Sequence, residues 1–470
     1  MAPQQVGVVF DVAPADWTIL QQDATGHATV AVSGRVQPLT GANANTGMLR
    51  AEEPAPTAVD VTELAGGAVV ELRVIGEATG LAVLEWEEAH VTGLAWRCEL
   101  RLPAGPGLYR LESRLRVLDP SSPAARLAPR GDMRHFIGVG DVWAIAGQSN
   151  ASGYGRGPYE DEPTLGVHLF NNANTWGMAT HPMNDSTNTA HPQNREGGNP
   201  GHSPFLQFGR VLQREANYPI GLLQVSLGAS ALSVWEEGAA LATMMSECTE
   251  ASGCGGLRGI CWYQGETDAG NDELTRSYLP RFNGALAAWR KALYAPAGDL
   301  LCITVQLNRV LAVTDPEQHR RWTQLREAQR QAAADDPARV AIVPTFDQSL
   351  TDGIHNSPAG NIVMGGRMAL AALGLMAGTT THRAPQAVEA TLSRPDGTQH
   401  TQAVTCICDF AKRCTEMRDA LPKSRRSLCL GSVRGRFSWR HWLYRRPVRT
   451  VCACDRGWRG CATHELCLPI

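Results

Sequence analysis

The sequence contains no His-Glu-x-x-His pair, no cage of closely spaced carboxylates and no glycine-rich loop leading into a helix. The first two absences argue against a metal-dependent hydrolase, and the third against a nucleotide-phosphate site. Neither a metal nor a cofactor is therefore expected. Charge is also scarce in net terms: Lys and Arg total 43 against 46 acidic residues, a formal charge of −3. Such a balance argues neither for nor against a charged partner, and no nucleic-acid partner is expected. No apolar run is read as a membrane span, and no membrane partner is expected. The first residues, Met1 to Gly7, lack a basic segment followed by an apolar one. A secretory signal is thus not expected, which favours a cytoplasmic location. Composition is silent on oligomeric state. What remains is an ordinary globular chain of 470 residues, 43% hydrophobic and 19% charged, long enough for two or three domains.

Cysteine is unevenly used. Five of the 13 precede residue 400 (Cys98, Cys248, Cys254, Cys261, Cys302) and the rest follow it. An odd count split this way does not describe one disulfide framework. Cys248 and Cys254 flank a short polar loop and are either a bridge or two free thiols.

Residues 1–137 read as β. Segments 28–33, 68–75, 81–86 and 109–118 are short and several alternate, with Gly and Pro between them. They predict an antiparallel sandwich or jelly roll with a packing or carbohydrate-contact role. From Asp141 the pattern changes to short apolar runs alternating with helices. Strands are expected at 142–146, 220–227, 259–263, 300–305 and 340–344. Helices are expected at 205–215, 278–294, 322–334 and 360–375, the first behind Ser203 as N-cap and Pro204. This alternation predicts an α/β domain over 138–380 with a parallel sheet covered on both faces. Residues 151–203 are a polar insertion that reads as a loop over the site. Its His168, His181, His191 and His202 read as polar loop residues, one of which could contact substrate.

Residues 381–470 begin as a truncated β segment and then lose apolar periodicity. Residues 401–470 hold twelve Arg and two Lys against five acids, with eight Cys. The Cys406-x-Cys408 and Cys452-x-Cys454 pairs fit a tetrahedral metal site poorly. The stretch reads as disordered or non-native sequence.

Four short words stand at or just after predicted strand ends: Gly147-Gln148-Ser149-Asn150, Gly228-Ala229-Ser230, Gln264-Gly265-Glu266-Thr267-Asp268 and Asp352-Gly353-Ile354-His355. In parallel sheets functional residues gather at that edge. Ser149 has a hydroxyl that needs a base to become nucleophilic, and His355 is the best-placed base. Asp352, three residues earlier, can fix the imidazole tautomer. Gly228 allows a backbone N–H to approach an oxyanion, and Gln264 offers a side-chain amide for it. Gln148 and Glu266 read as supporting groups, Glu266 as an acceptor rather than an acid, and Asp268 as a brace of its turn.

These words resemble the SGNH-hydrolase superfamily, and within it the sialate O-acetylesterases and related carbohydrate acetylesterases, over roughly residues 139–376. The resemblance implies a three-layer α/β/α domain preceded by a β-sandwich-like domain. It implies removal of O-acetyl groups from an acetylated sugar or oligosaccharide, with Ser149 as nucleophile, His355 as base and Asp352 as its partner. It also implies an oxyanion hole from the Ser149 and Gly228 N–H groups and a side-chain amide. The superfamily's Gly-x-Asn-Asp reads Gly265-Glu266-Thr267-Asp268 here, so the amide role passes to Gln264. Two other readings stay open: an esterase for acetylxylan or another acetyl-polysaccharide, and a catalytically inactive carbohydrate-binding protein.

Overall fold

A computed structural model describes residues 5–39, 67–118, 130–198, 200–311, 315–379, 392–393 and 399–400. Met1–Gly378 form one compact unit and Thr379–Ile470 a second. Of the second, one short antiparallel pair is described, Leu392–Ser393 with Gln399–His400. The two Cys-x-Cys pairs of the tail lie outside the described residues.

In the first unit the chain opens with β strands. These are β1 (Gln5–Val12), β2 (Ile19–Gln21), β3 (His27–Leu39), β4 (Ala68–Gly76), β5 (Ala82–Glu88), β6 (His90–Thr92), β7 (Ala95–Pro103) and β8 (Tyr109–Val117). Strands β1, β3, β7 and β6 form one antiparallel sheet in that order. The other sheet pairs β5 with β4 and β4 with β8. Alternate residues point between the sheets, as the period-2 pattern requires. Val30, Val32, Val70, Leu72, Val74, Trp96, Leu100, Leu111 and Leu115 make the core there.

Strand β9 (Arg130–Gly147) then runs without a break through residue 137. Its first half pairs antiparallel with β8. Its second half pairs in parallel with β12 (Ile220–Gln224) and β13 (Gly259–Tyr263). Gly140 permits this passage: a Cβ there would stand 1.9 Å from the Pro219 carbonyl oxygen.

The second sheet has the order β11-β10-β12-β9-β13-β14-β15, with β10 (Val167–Phe170), β11 (Trp176–Met178), β14 (Leu301–Val305) and β15 (Val340–Val343). All its neighbours are parallel except β10 with β11. Val142 to Ala146 are buried along their whole length, as a strand covered on both faces must be.

The helices are the single turn α1 (Ser149–Ser152), α2 (Phe205–Ala216), α3 (Ala240–Ala251), α4 (Asp272–Ala292), α5 (Pro316–Asp335) and α6 (Pro358–Met376). Helix α2 packs on α6 and α4 on α5, giving helical layers about the sheet. The three-layer α/β/α expectation holds, with a β-rich region before it.

Several expectations are corrected. Helix α2 has Pro204 rather than Ser203 at its N-cap, and the Ser203 hydroxyl turns to the Met183 sulfur instead. Helix α4 starts earlier than periodicity suggests because the Asn271 side chain accepts the Glu273 and Leu274 N–H groups. Helix α6 is long and apolar enough to cross a membrane by length and composition, which the sequence reading missed. In the fold it packs on α2, and its Arg367 pairs with Asp347 at 2.6 Å. Of the two readings open for Cys248 and Cys254, the structure has the second, two buried free thiols. Of the four histidines of the insertion, His181, His191 and His202 lie in its loops, whereas His168 lies on β10, buried, with Nδ1 2.7 Å from the Trp17 carbonyl.

Candidate active site

Strands β9, β12, β13 and β15 are parallel neighbours or near neighbours, so their carboxyl ends share one edge of the sheet. The four sequence words lie beyond those ends. Strand β9 finishes at Gly147 with φ +133°, where a Cβ would sit 2.1 Å from the Tyr263 carbonyl oxygen. Only glycine fits that turn. The chain then starts α1, with Ser149 as its first residue.

Ser149 and His355 are 206 residues apart in sequence, yet the Ser149 Oγ stands 2.8 Å from His355 Nε2. His355 Nδ1 is 2.7 Å from Asp352 Oδ2. The other carboxylate oxygen, Oδ1, accepts the Ile354 and His355 N–H groups, each at 2.8 Å. Burial raises the Asp352 carboxyl, but these N–H donors and the imidazole outweigh it and hold the group below its ordinary value. An ionised carboxylate is therefore fixed behind the imidazole. The three residues form the hydrogen-bonded line of a hydroxyl, a base and a base-orienter.

Asn150 ties the two sides together. Its Nδ2 donates to Glu266 Oε1 at 2.6 Å and to the Ile354 carbonyl, and its Oδ1 accepts the Asn356 N–H. Glu266 is buried, and its Oε2 has no hydrogen-bond partner. Burial raises its carboxyl above the ordinary value, with Asn150 and His355 opposing. Gln148 turns its Oε1 to the Gly265 and Thr267 N–H groups, which locks the strand-end turn after β13.

Two of the expected oxyanion donors are engaged elsewhere. The Gln264 amide donates to Asp268 Oδ2 at 2.6 Å and to the Ser230 carbonyl at 3.1 Å. Both amide hydrogens are taken, so Gln264 braces its turn together with Asp268, and the oxyanion role expected for it is withdrawn. The Gly228 N–H donates to Glu196 Oε1 at 2.6 Å. Asp268 Oδ2 also accepts the Leu232 N–H at 2.9 Å.

A family model described as "Carbohydrate esterase, sialic acid-specific acetylesterase" matches residues 139–374, half of the chain, including Ser149, Asp352 and His355. The chain belongs to this family. Membership indicates carbohydrate acetylesterase activity, a carboxylic ester hydrolysis. Among solved structures, a carbohydrate acetylesterase from Xanthomonas citri is 21% identical, with 82% of this chain and 80% of that chain covered and a TM-score of 0.45. A protein from Arabidopsis thaliana is 24% identical, covering 50% of this chain and 97% of its own, with a TM-score of 0.43. An acetylxylan esterase from Geobacillus stearothermophilus is 15% identical, covering 50% and 94%, with a TM-score of 0.31. No curated protein matches the chain.

Three residues of this carbohydrate esterase escaped the sequence reading. Glu196, from the insertion, accepts Ser152 Oγ and the Gly228 N–H on Oε1, each at 2.6 Å, and Asn184 Nδ2 at 3.0 Å. Its Oε2 accepts the Tyr154 hydroxyl at 2.7 Å. The Tyr154 ring in turn stacks on His355, with centroids 5.2 Å apart and planes inclined by 27°. Arg156 places its guanidinium 5.4 Å from the Tyr154 centroid. Asn150 was visible only as the fourth letter of its word. No local pattern marks Glu196, because its partners come from α1, the insertion and the turn after β12.

Proposed function

We propose that this esterase removes O-acetyl groups from sugars through an acetyl-Ser149 intermediate, with an acetylated sialic acid as substrate. The reading rests on the line Ser149 Oγ, His355 Nε2, Nδ1 and Asp352 Oδ2, closed by contacts of 2.8 and 2.7 Å. His355 takes the hydroxyl proton as Oγ attacks the acetyl carbonyl carbon. It then gives that proton to the departing sugar oxygen, leaving acetate esterified to Ser149. A water molecule, deprotonated by His355, attacks the acetyl group and frees acetate and serine. Asp352 holds the imidazole tautomer and stabilises the imidazolium. The Ser149 backbone N–H serves the oxyanion, with the Gly228 N–H, bonded here to Glu196, as the second candidate donor. Support for an acetylated sialic acid comes from the family to which residues 139–374 belong, described as a sialic acid-specific acetylesterase.

The test is acetate release from a chromogenic acetyl ester, with Ser149→Ala and His355→Ala beside the wild type. Each variant is expected to lose at least about 10³-fold in turnover. Acetylated sialic acid is then compared with acetylated xylo-oligosaccharide, and preference for the xylo-oligosaccharide overturns the sialate assignment. A folded wild type without turnover, or a Ser149→Ala variant equal to it, rejects the nucleophile and favours a binding role.

A further inference from the structure

The insertion carries a second cluster, none of whose members belongs to the Ser149 line. Asp161 follows α1, His181 follows β11 and His202 precedes α2. The Asp161 Oδ2 lies 3.0 Å from His181 Nε2 and 3.0 Å from His202 Nε2. One ligand atom from each residue falls within 4.8 Å of the other two. All three side chains are no more than 2% exposed. Tyr159 packs edge-on against both imidazoles, 5.5 and 4.7 Å from their centroids, and covers them.

We propose that Asp161, His181 and His202 form a structural divalent-cation site, best suited to zinc, that pins the insertion. Two imidazole nitrogens and a carboxylate oxygen are a donor set that zinc accepts, with water as a fourth ligand. Donors on a tetrahedral ion with legs near 2.0–2.1 Å stand about 3.3 Å apart, so each 3.0 Å carboxylate–imidazole spacing opens by a few tenths of an ångström, while the imidazole nitrogens, within 4.8 Å of each other, settle to the same separation. Neither ring's Nδ1 has a hydrogen-bond partner. No donor therefore locks Nδ1 as the acceptor, and each ring's hydrogen moves to Nδ1 as the ion replaces its Nε2–H bond to Asp161 Oδ2. That frees both Nε2 lone pairs for the ion.

The carboxylate is already oriented for the task. Arg210 reaches Asp161 Oδ1 at 2.8 Å, leaving Oδ2 to face the imidazoles. Arg210 is itself held by Thr164 and Gln207. The imidazoles lack the outer acceptor that usually accompanies such ligands, which lowers affinity by about 10–100-fold. Tight but chelator-removable binding is the expectation.

The need for such a pin is visible in the backbone. Between α1 and α2 the regular elements among the described residues are β10, β11 and one 3₁₀ turn at Pro192–Asn194. The three ligands draw together three separate stretches of this insertion. The His202 backbone also pairs with Gly155 in both directions at 3.1 Å, next to Tyr154 on the face of His355. A cation would thus fix the segment that walls the catalytic imidazole.

The experiment uses the full chain, stripped with chelator and titrated with Zn²⁺ or Co²⁺, beside Asp161→Asn and His202→Gln. The wild type is expected to bind one more equivalent than either variant. Its Co²⁺ form is expected to show visible d–d bands of a nitrogen–oxygen site, and Zn²⁺ is expected to raise its thermal midpoint by several degrees. The same stoichiometry in wild type and folded variants overturns the proposal. If the variants do not fold, the wild-type Co²⁺ spectrum decides. Charge-transfer bands of thiolate ligation alone place the metal on cysteine, and either that result or no binding overturns the site.

Discussion

The carboxylate of Glu196 accepts the Gly228 N–H at 2.6 Å, on the turn after β12 that we propose receives the ester oxyanion. A negative group there opposes a second negative charge. Replacing it with the isosteric amide, Glu196→Gln, keeps an acceptor for Gly228, Ser152 and Asn184 while removing the charge. Turnover is expected to rise by several-fold to roughly tenfold, the latter about 1.4 kcal/mol off the barrier. A tenfold fall in steady-state acetate release assigns Glu196 to scaffolding and removes Gly228 from the oxyanion hole.

Asn150→Ala cuts the tie between the Ser149 turn and the base loop. It leaves Glu266 buried with no partner on Oε1 or Oε2. Stability is expected to fall by about 1–3 kcal/mol, read as a lower denaturant midpoint at unchanged slope. Turnover is expected to fall roughly 10–10²-fold because the imidazole drifts from the hydroxyl. An unchanged midpoint and rate show that the base loop is held by other contacts.

Glu266 carries a pH signature. Burial raises its folded carboxyl above the ordinary value of 4.5. Between the two values the folded chain holds more protons than the unfolded one, so this group's contribution is complete at low pH and is lost as pH rises through the folded value. Glu266→Gln is expected to be more stable than wild type at neutral pH, with the gap closing toward pH 4.5. Parallel stability–pH curves for the two proteins reject this account.

Ala229 is exposed and sits at φ +56°, a left-handed conformation that a Cβ disfavours by about 1–2 kcal/mol. Ala229→Gly relieves that strain but loosens the unfolded chain, for an expected net gain of about 0.5–1 kcal/mol. Chemical denaturation checks the sign, and a lower midpoint shows that the Ala229 methyl makes a contact outweighing its strain.

The α/β alternation was legible because buried parallel strands are short apolar runs and the helices between them are amphipathic. Ser149, Asp352 and His355 were legible for a related reason: strand ends are where such sheets collect polar residues. Asp352 and His355 also lie within one turn, so their pairing is nearly local. Glu196 was not legible, since a single glutamate in a polar insertion differs from its neighbours only by what the fold brings to it. The oxyanion assignment of Gln264 failed similarly. Its residue type was suitable, but Asp268, four residues on, takes its amide.

The sequence by itself determined the elements, the order of the four words and the glycine that turns β9 into Ser149. These follow from periodicity, side-chain chemistry and backbone sterics over a few residues. Only the tertiary structure decided that β9 serves both sheets, that Glu196 covers Gly228, and that Asp161, His181 and His202 converge. Each of those depends on contacts between segments tens of residues apart, whose partners compete for the same polar atoms. Which partner wins is set by distance and burial in the folded chain.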